Sequence, residues 1–216
     1  MNWRPAFKSD ESFLEKASIG ATGTRHVFND LSQHGHRPIE LERGSMSFKI
    51  WKGVKIKRVR VPDILCIGCG KRVEPRAKTK LEITMSHSMS TAERGWDFGL
   101  GDDDYIAFVK CTKAGDRPID WVAEDPAQYV RAGSMRNAYG SKLVFLEKPK
   151  GVTEGFEIRV MWPSAIAGQA GEITSVGQDK IKYRKTTDER TVTLSLSKKG
   201  LKLEPQVSIG DKVKKN

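Results

Sequence analysis

The sequence predicts an α/β (α+β) fold, in which helices flank a mixed β-sheet and a small all-β, barrel-like module follows. Two observations support this class. Apolar residues recur at helical spacing from about residue 10 to residue 33, and alternating strand patterns come next. After a stretch of small residues at 164–171, the chain contains only short alternating strands at regular spacing. We therefore predict a core domain over 1–163 and a small basic β module over 172–216.

The helix over 10–33 is predicted from its apolar stripe and from the residues that stop it. Gly35 and Pro38 follow the last apolar position and end the helix. Gly20 and Gly23 each weaken it by about 1 kcal/mol relative to Ala, and we expect them to allow close packing against the sheet. The stripe consists of Phe13, Leu14, Ala17, Ala21, Thr24, Val27, Phe28 and Leu31.

The next two predicted strands are joined by a tight, cysteine-bearing turn. The first strand, from 54 to Asp63, alternates Val and Ile with Lys and Arg. The second strand, over 73–85, has a polar or charged residue at every even position. Because successive strand side chains point to opposite faces, one face of the second strand would carry Glu74, Arg76 and Lys78. Asp63 would lie close by, at the end of the first strand.

Two carboxylates beside a cation form the arrangement that a hard divalent metal needs for phosphodiester hydrolysis. Carboxylate oxygens hold Mg²⁺, and the metal stabilises the attacking and leaving oxygens. A neighbouring cation offsets charge on the phosphate or helps to activate the attacking water. The alternative interpretation is a solvated strand face whose charges keep an edge soluble.

The pair Pro62-Asp63, followed by Glu74-Pro75-Arg76, resembles the signature of the PD-(D/E)xK nucleases. That family includes many restriction endonucleases and other DNA-cleaving enzymes. The resemblance covers roughly residues 10–112, since the preceding helix and the flanking strands also suit the common core of the family. It implies a restriction-endonuclease-like core, Mg²⁺ as the cofactor, and a metal-dependent DNA endonuclease of restriction or phage-defence type.

The resemblance also assigns roles to individual residues. Asp63 and Glu74 would bind Mg²⁺, with water as the nucleophile. The lysine of the family signature falls at Arg76, which cannot deprotonate and so acts as a fixed charge. Lys78 lies on the same strand face and could take the place of that lysine. Because the family often has an acidic residue on its first helix, Glu15 is an auxiliary candidate, and an ordinary surface role is the alternative.

Two other interpretations stay open at this stage. A rival alignment uses Glu82 as the second acid, which would place Thr84 at the lysine position. The departures from the family signature also allow a non-catalytic nucleic-acid-binding or assembly subunit with a degraded nuclease site.

Cys66 and Cys69 form a Cys-x-x-Cys pair followed by Gly and Lys, which resembles a zinc knuckle. In such a turn, backbone amides donate to the thiolates and a basic residue offsets their charge. One knuckle supplies two of the four ligands of a structural Zn²⁺ site. The alternative is a reduced pair in a hairpin turn. The residues that could complete a zinc site are Cys111, His87, His34 and His36.

Charge and composition point to an anionic partner. The formal net charge is +11 and the pI is about 9.6, which favours DNA or another nucleic acid. The basic run over 52–60 and the side chains of Tyr129, Arg131 and Arg136 are candidate DNA contacts. No apolar run approaches the ~20 residues that span a bilayer, so no membrane partner is expected. Three cysteines without a signal-peptide pattern indicate a cytoplasmic protein.

The C-terminal module is itself basic. Residues 172–216 carry 11 Lys and Arg against 6 Asp and Glu, a net charge of +5. The segment 207–213 resembles the last turn of SH3-like barrels, which many nucleic-acid proteins carry. We therefore expect the module to hold nucleic acid or a partner protein. Many nucleases of the resembled family cut two strands as dimers, so the resemblance also allows a homodimer.

Overall fold

The computed structural model describes residues 10–41, 62–80, 82–88, 92, 95–140, 145–147, 158–164, 167–198, 201–205 and 207–213. Helices and several β-sheets are both present, in agreement with the predicted α+β class. Neither helix in these ranges has the length and apolar character needed to cross a membrane. The chain forms two compact units, one drawn from 1–80, 86–137 and 148–158, the other from 81–85, 138–147 and 159–216.

Helix α1 spans Asp10–Gln33, which confirms the helix predicted from the sequence. It ends in a Schellman motif, in which Gly35 adopts a φ of 80°. The His36 amide donates to the Leu31 carbonyl at 3.0 Å, and the Gly35 amide donates to the Ser32 carbonyl at 3.1 Å. The motif satisfies two terminal carbonyls and fixes the direction in which the chain leaves the helix.

The first unit contains a five-stranded mixed sheet in the order β1-β2-β3-β5-β6. Strands β3 and β5 are parallel, and the other neighbours are antiparallel. Strand β4 joins a different sheet, so the chain leaves the five-stranded sheet after β3 and re-enters it at β5. The strands are β1 (Pro38–Glu40), β2 (Ile64–Cys66), β3 (Arg72–Lys78), β4 (Thr84–His87), β5 (Tyr105–Lys113) and β6 (Trp121–Arg131).

Helix α1 covers one face of this sheet. A Cβ atom on Gly23 would lie 2.9 Å from the Cβ atom of Ala77, so glycine allows the helix to approach β3 closely. Gly20 has no such neighbour within 4 Å, so only one of the two predicted packing glycines serves that purpose. The buried core between helix and sheet consists of Val27, Leu31, Ile64, Val73, Ala107, Val109, Cys111 and Ala127.

The prediction of one long strand over 73–85 is wrong. Strand β3 ends at Lys78, its last partner on β5 is Lys110, and the chain bends at 79–80. Thr84 then begins β4, which pairs in the three-stranded sheet β4-β8-β7. The alternation of polar and apolar residues continues across the bend, because two short half-buried strands produce the same pattern as one long strand.

The strand predicted from 54 to Asp63 lies mostly outside the described residues, as does the basic run over 52–60. Pro62 and Asp63 precede β2, which spans Ile64–Cys66. Ile64 and Cys66 are both buried. The described strand β2 thus begins directly after the position at which the sequence pattern predicts the end of a strand.

Strand β6 and helix α2 (Ala132–Gly140) follow one another directly. The side chains predicted to reach DNA from this region make contacts within the unit, and their contact with DNA stays a prediction. Tyr129 donates to Asp30 at 2.6 Å, and Arg131 pairs with Asp103. Arg136 donates to Asp97 at 2.6 Å and also pairs with Asp102. These ion pairs and hydrogen bonds give the three side chains a structural role.

The remaining strands form small antiparallel sheets. Strands β9, β10, β11 and β14 pair in the order β11-β10-β9-β14 around a core of Ile173, Ile181, Tyr183 and Leu196. The predicted domain boundary at 164–171 would leave 81–85 and 138–147 in the first domain, whereas both segments belong to the second unit. The strands are β7 (Phe145–Glu147), β8 (Ile158–Met161), β9 (Gly171–Val176), β10 (Lys180–Lys185), β11 (Thr191–Ser195), β12 (Ser197–Lys198), β13 (Leu201–Lys202) and β14 (Lys212–Val213).

Candidate functional site

Glu74, Arg76 and Lys78 occupy the face of β3 that points away from α1. Val73 and Ala77 pack towards α1 on the opposite face, and strand side chains alternate between faces. On the neighbouring strand β5, residues 106, 108 and 110 follow the same alternation. The strand register therefore gathers one buried acid and several basic side chains on one side of the sheet.

Glu74 is a buried carboxylate with a cation in direct contact. It is only 6% exposed, and the Arg76 guanidinium lies 2.7 Å from its Oε1 atom. The Lys78 Nζ atom lies 5.9 Å from the centre of the Phe108 ring, in a cation–π arrangement. Lys78 is two residues beyond Arg76, a further ~6.6 Å along the strand. Arg76 thus contacts Glu74 directly, and Lys78 lies further along the same face.

Asp63 lies one residue before β2, next to this face. Ile64 pairs with Val73 and Leu65 pairs with Arg72, so one further step in the same register would place Asp63 opposite Glu74. Since Val73 packs against α1, alternation directs Glu74 to the other face, and the same alternation continued one residue before β2 would direct Asp63 there as well. Directly opposed residues of an antiparallel pair have Cβ atoms about 5 Å apart, which is close enough for two carboxylates to share one cation.

Glu15 lies elsewhere in the unit. Lys113 donates to its Oε1 atom at 2.7 Å. Lys113 stands seven residues beyond Ile106, the partner of Glu74 on β5, which corresponds to about 23 Å along the strand. Helix α1, which carries Glu15, also lies on the opposite face of the sheet from Glu74. We therefore leave Glu15 out of the candidate site.

Glu82, the acid of the rival alignment, is outside the five-stranded sheet. Strand β3 ends at Lys78, and Glu82 is an exposed residue just before β4. Strand β4 belongs to a different sheet. Glu74, and not Glu82, is consequently the acid on the strand that pairs with β2.

A second cluster lies at the turn between β2 and β3. The His36 Nδ1 atom is 3.6 Å from the Cys66 Sγ atom and 3.8 Å from the Cys69 Sγ atom. All three donor atoms lie within 4.8 Å of one another, so the cluster could hold a metal ion. Among the four residues that the sequence offers as partners for the cysteine pair, the structure brings His36 to it.

Local backbone structure sets the position of each donor. The Schellman motif at the end of α1 places His36, and β1 follows at once, with Pro38 paired to Cys66. The Gly70 amide donates to the Cys66 carbonyl at 2.8 Å and closes the turn that carries Cys69. The helix end and the strand turn therefore meet because β1 pairs with β2.

The two buried cysteines differ in their ionisation. The Arg37 amide, 3.4 Å from the Cys66 Sγ atom, is the main cause that lowers the pKa of Cys66 to about 6, against the opposing effect of burial and with help from Cys69 and His36. Burial, followed by the charge of Glu124, raises the pKa of Cys111 to about 11. Cys66 thus favours the thiolate that metals bind, whereas Cys111 is a core thiol packed against α1.

The acidic loop before β5 is held by arginines and by the backbone. Asp104 is buried and accepts from the Arg72 amide at 2.9 Å, from the Gly101 amide at 2.6 Å and from the Arg72 guanidinium at 2.5 Å. Its neighbours Asp102 and Asp103 pair with arginines of α2 and β6. This loop therefore fixes the start of β3 instead of offering a cation site.

Sequence reasoning selected Asp63, Glu74 and the cysteine pair, and it left the third ligand of that pair open among four residues. The signal that would have selected His36 is its place directly after the helix-ending Gly35 and before a short strand that pairs with β2. Comparison of this chain with protein-family models, with curated proteins and with solved structures found no match.

Proposed function

We propose that this chain is a Mg²⁺-dependent DNA endonuclease of restriction or phage-defence type. The proposal is supported by the register of β2 and β3, which pairs Ile64 with Val73 and, continued by one residue, would bring Asp63 opposite the buried Glu74. Carboxylate oxygens are the ligands that a hard cation such as Mg²⁺ prefers. The likeness of Pro62-Asp63 and Glu74-Pro75-Arg76 to the PD-(D/E)xK signature adds the reaction, hydrolysis of a phosphodiester by water.

Each residue of the site has a distinct role in this proposal. Asp63 and Glu74 hold the cation, and Arg76 orients Glu74 through their 2.7 Å contact. When bound, Mg²⁺ stabilises charge on the phosphate and lowers the pKa of the attacking water. Arg76 stays protonated and adds fixed positive charge. Lys78 lies further along the strand, where it would contact the phosphate backbone.

The C-terminal strands supply a second set of cations for DNA. Strand β10 buries Ile181 and Tyr183, and the alternate side chains Lys180, Lys182 and Arg184 are exposed. Their partners across β11 are Ser195, Thr193 and Thr191, all exposed. Lysine, arginine and hydroxyl side chains bind phosphate oxygens without reading sequence. This row of cations supports a role for the second unit in holding the duplex.

One observation favours a second candidate function. The Arg76 guanidinium sits directly on Glu74, and such a pair offsets part of the negative charge that attracts a metal. A chain whose acid is neutralised in this way would act as a non-catalytic nucleic-acid-binding or assembly subunit. A carboxylate has about four lone-pair positions, however, so the Arg76 contact still leaves room for metal coordination.

Cleavage of supercoiled plasmid separates the two functions. We expect the wild type to cut DNA with Mg²⁺ and to be inactive with EDTA. Asp63→Asn and Glu74→Gln should each lower the rate by at least ~100-fold, the scale of losing one group that stabilises charge in the transition state. Glu15→Gln and Glu82→Gln are the matched controls, since each removes one carboxylate outside the proposed site and should leave cleavage unchanged.

Other results would contradict the endonuclease proposal or its assignment of the metal-binding acids. A wild type that binds duplex DNA but cuts neither DNA nor RNA with Mg²⁺ or Mn²⁺ would support the non-catalytic function. Loss of cleavage in Glu82→Gln with activity retained in Glu74→Gln would favour the rival alignment. DNA binding measured for each variant distinguishes a defect in chemistry from a defect in affinity.

A further inference from the structure

We propose that His36, Cys66 and Cys69 bind one Zn²⁺ ion, which joins the end of α1 to the turn between β2 and β3. The site uses soft thiolate and imidazole donors, unlike the carboxylates of the proposed nuclease site, and it selects a different metal for that reason. The zinc proposal does not depend on nuclease activity.

The spacing of the donors fits tetrahedral zinc. With Zn–S bonds of about 2.3 Å and Zn–N bonds of about 2.05 Å, tetrahedral geometry separates a sulfur and a nitrogen ligand by about 3.6 Å. The observed separations from the His36 Nδ1 atom are 3.6 Å to Cys66 and 3.8 Å to Cys69. A hydrogen bond between one thiol and the imidazole would have a similar length, so neither distance alone indicates a metal site. The convergence of three donor atoms within 4.8 Å is therefore what indicates a metal site.

The backbone holds the donors in place before any ion binds. The Schellman motif fixes His36, and the Ile67 amide donates to the Arg37 carbonyl at 2.9 Å. The Arg37 amide in turn faces the Cys66 Sγ atom at 3.4 Å. Amide donors around a metal thiolate orient the ligand and offset its charge. The site consequently requires little rearrangement, which favours binding.

Three protein donors leave one coordination position. In the part of the chain that the structure describes, no fourth His, Cys, Asp or Glu atom joins this cluster. His36 and Cys69 are exposed while Cys66 is buried, so the cluster opens to solvent on one side. We expect a water molecule at the fourth position and, in X-ray absorption at the zinc edge, two sulfur and two nitrogen or oxygen ligands.

The site would stiffen the strand that precedes the turn. Cys66 is the last residue of β2, which begins directly after Asp63. A metal bond at one end of a three-residue strand restricts movement of the other end. Removal of zinc is therefore expected to lower the melting temperature by several degrees, by loss of ligand binding to the folded state.

Metal content of the purified protein is the first test. Protein produced with zinc in the medium should retain about one Zn²⁺ per chain, and replacement by Co²⁺ should give the thiolate-to-cobalt absorption of a two-sulfur site. His36→Gln and Cys69→Ser alter exposed side chains, so we expect them to fold and to lose both signals. The matched controls are His34→Gln, an exposed histidine two residues away, and Cys111→Ala, the third cysteine; both should keep the metal.

Several outcomes would overturn the proposal. One is a wild type that binds neither Zn²⁺ nor Co²⁺. A second is that both His36→Gln and Cys69→Ser retain the metal. A third is that His34→Gln loses as much metal as His36→Gln. A chelator should lower the melting temperature of the wild type and leave that of His36→Gln unchanged. Zinc content should also be unaffected by Asp63→Asn, so a failure of the nuclease proposal would leave this result intact.

Discussion

Asp104 is a single residue whose contacts lead to a clear stability prediction. It is 5% exposed and accepts from two backbone amides and from Arg72. Asp104→Asn turns an amide group towards these donors and should cost about 1–3 kcal/mol of unfolding free energy. Because the Arg72 side chain is 38% exposed, solvent screens the ion pair, and the amide contacts account for most of the loss. Urea denaturation measures it, with the exposed Asp103→Asn as control.

Asp104 also makes the stability of the protein depend on pH, and the direction of that dependence can be predicted. Burial raises the pKa of Asp104, but the Arg72 and Gly101 amides and the Arg72 guanidinium together bring it below the ordinary value of 3.8. A lowered pKa contributes stability that is fully present above 3.8 and is lost as the pH falls through the folded-state value. The wild type should therefore lose its advantage over Asp104→Asn below about pH 4. A constant difference down to pH 2 would contradict this assignment.

At the residue scale, the sequence indicated which side chains are candidate site residues better than it indicated which residues the charged side chains contact. Asp63, Glu74 and the cysteine pair stand out because their types and spacing carry chemistry. The partners of Arg136 and Arg131 were not predictable, since each ion pair spans 28 or more positions of sequence and depends on the packing of the loop before β5. Both arginines, which the sequence predicts as nucleic-acid contacts, pair with aspartates within the unit.

At the element scale, the two glycines of α1 give opposite predictions for the same substitution. Gly20→Ala adds a methyl group in open space, so it should stabilise the protein by about 0.5–1 kcal/mol through helix propensity. Gly23→Ala would place its Cβ atom 2.9 Å from the Ala77 Cβ atom and must push α1 away from β3. We expect a net loss of about 1–2 kcal/mol, since overpacking exceeds the propensity gain. Denaturant unfolding of both variants measures the two signs, and a stabilised Gly23→Ala would refute the close approach.

Hydrophobic periodicity predicted helix α1, which packs against one sheet, and failed for the segment 73–85, whose two parts pair in different sheets. Helix α1 has the limits that were predicted, and its apolar stripe is buried at Thr24, Val27 and Leu31, whereas Leu14 near its start is 46% exposed. The bend after Lys78 left no mark on the alternating pattern, because Ile83 and Met85 continue the apolar odd positions of β3 although β4 pairs in another sheet. Strand pairing depends on residues distant in sequence, which a local pattern cannot contain.

At the scale of the whole molecule, the candidate sites depend on register as well as on composition. The cysteine pair was evident in the sequence, but His36 joins it only because β1 pairs Pro38 with Cys66. The register of β2 and β3, continued by one residue, would bring Asp63 opposite Glu74 in the same way. Both juxtapositions arise in a sheet whose strands are three to eleven residues long, and the sequence indicated the donors without the pairing that gathers them.

The net charge of +11 leads to a prediction about binding. If the exposed row on β10 binds phosphates, Lys180→Gln/Lys182→Gln should weaken duplex binding and reduce the slope of log Kobs against log salt by about 1.8, or 0.9 for each phosphate that is no longer neutralised. The control Lys16→Gln/Arg25→Gln removes the same charge from exposed positions of α1, so general electrostatics would affect both variants alike. Fluorescence anisotropy at salt concentrations from about 50 to 200 mM measures both slopes. Equal slopes in the two double variants would exclude β10 as the phosphate-binding strand.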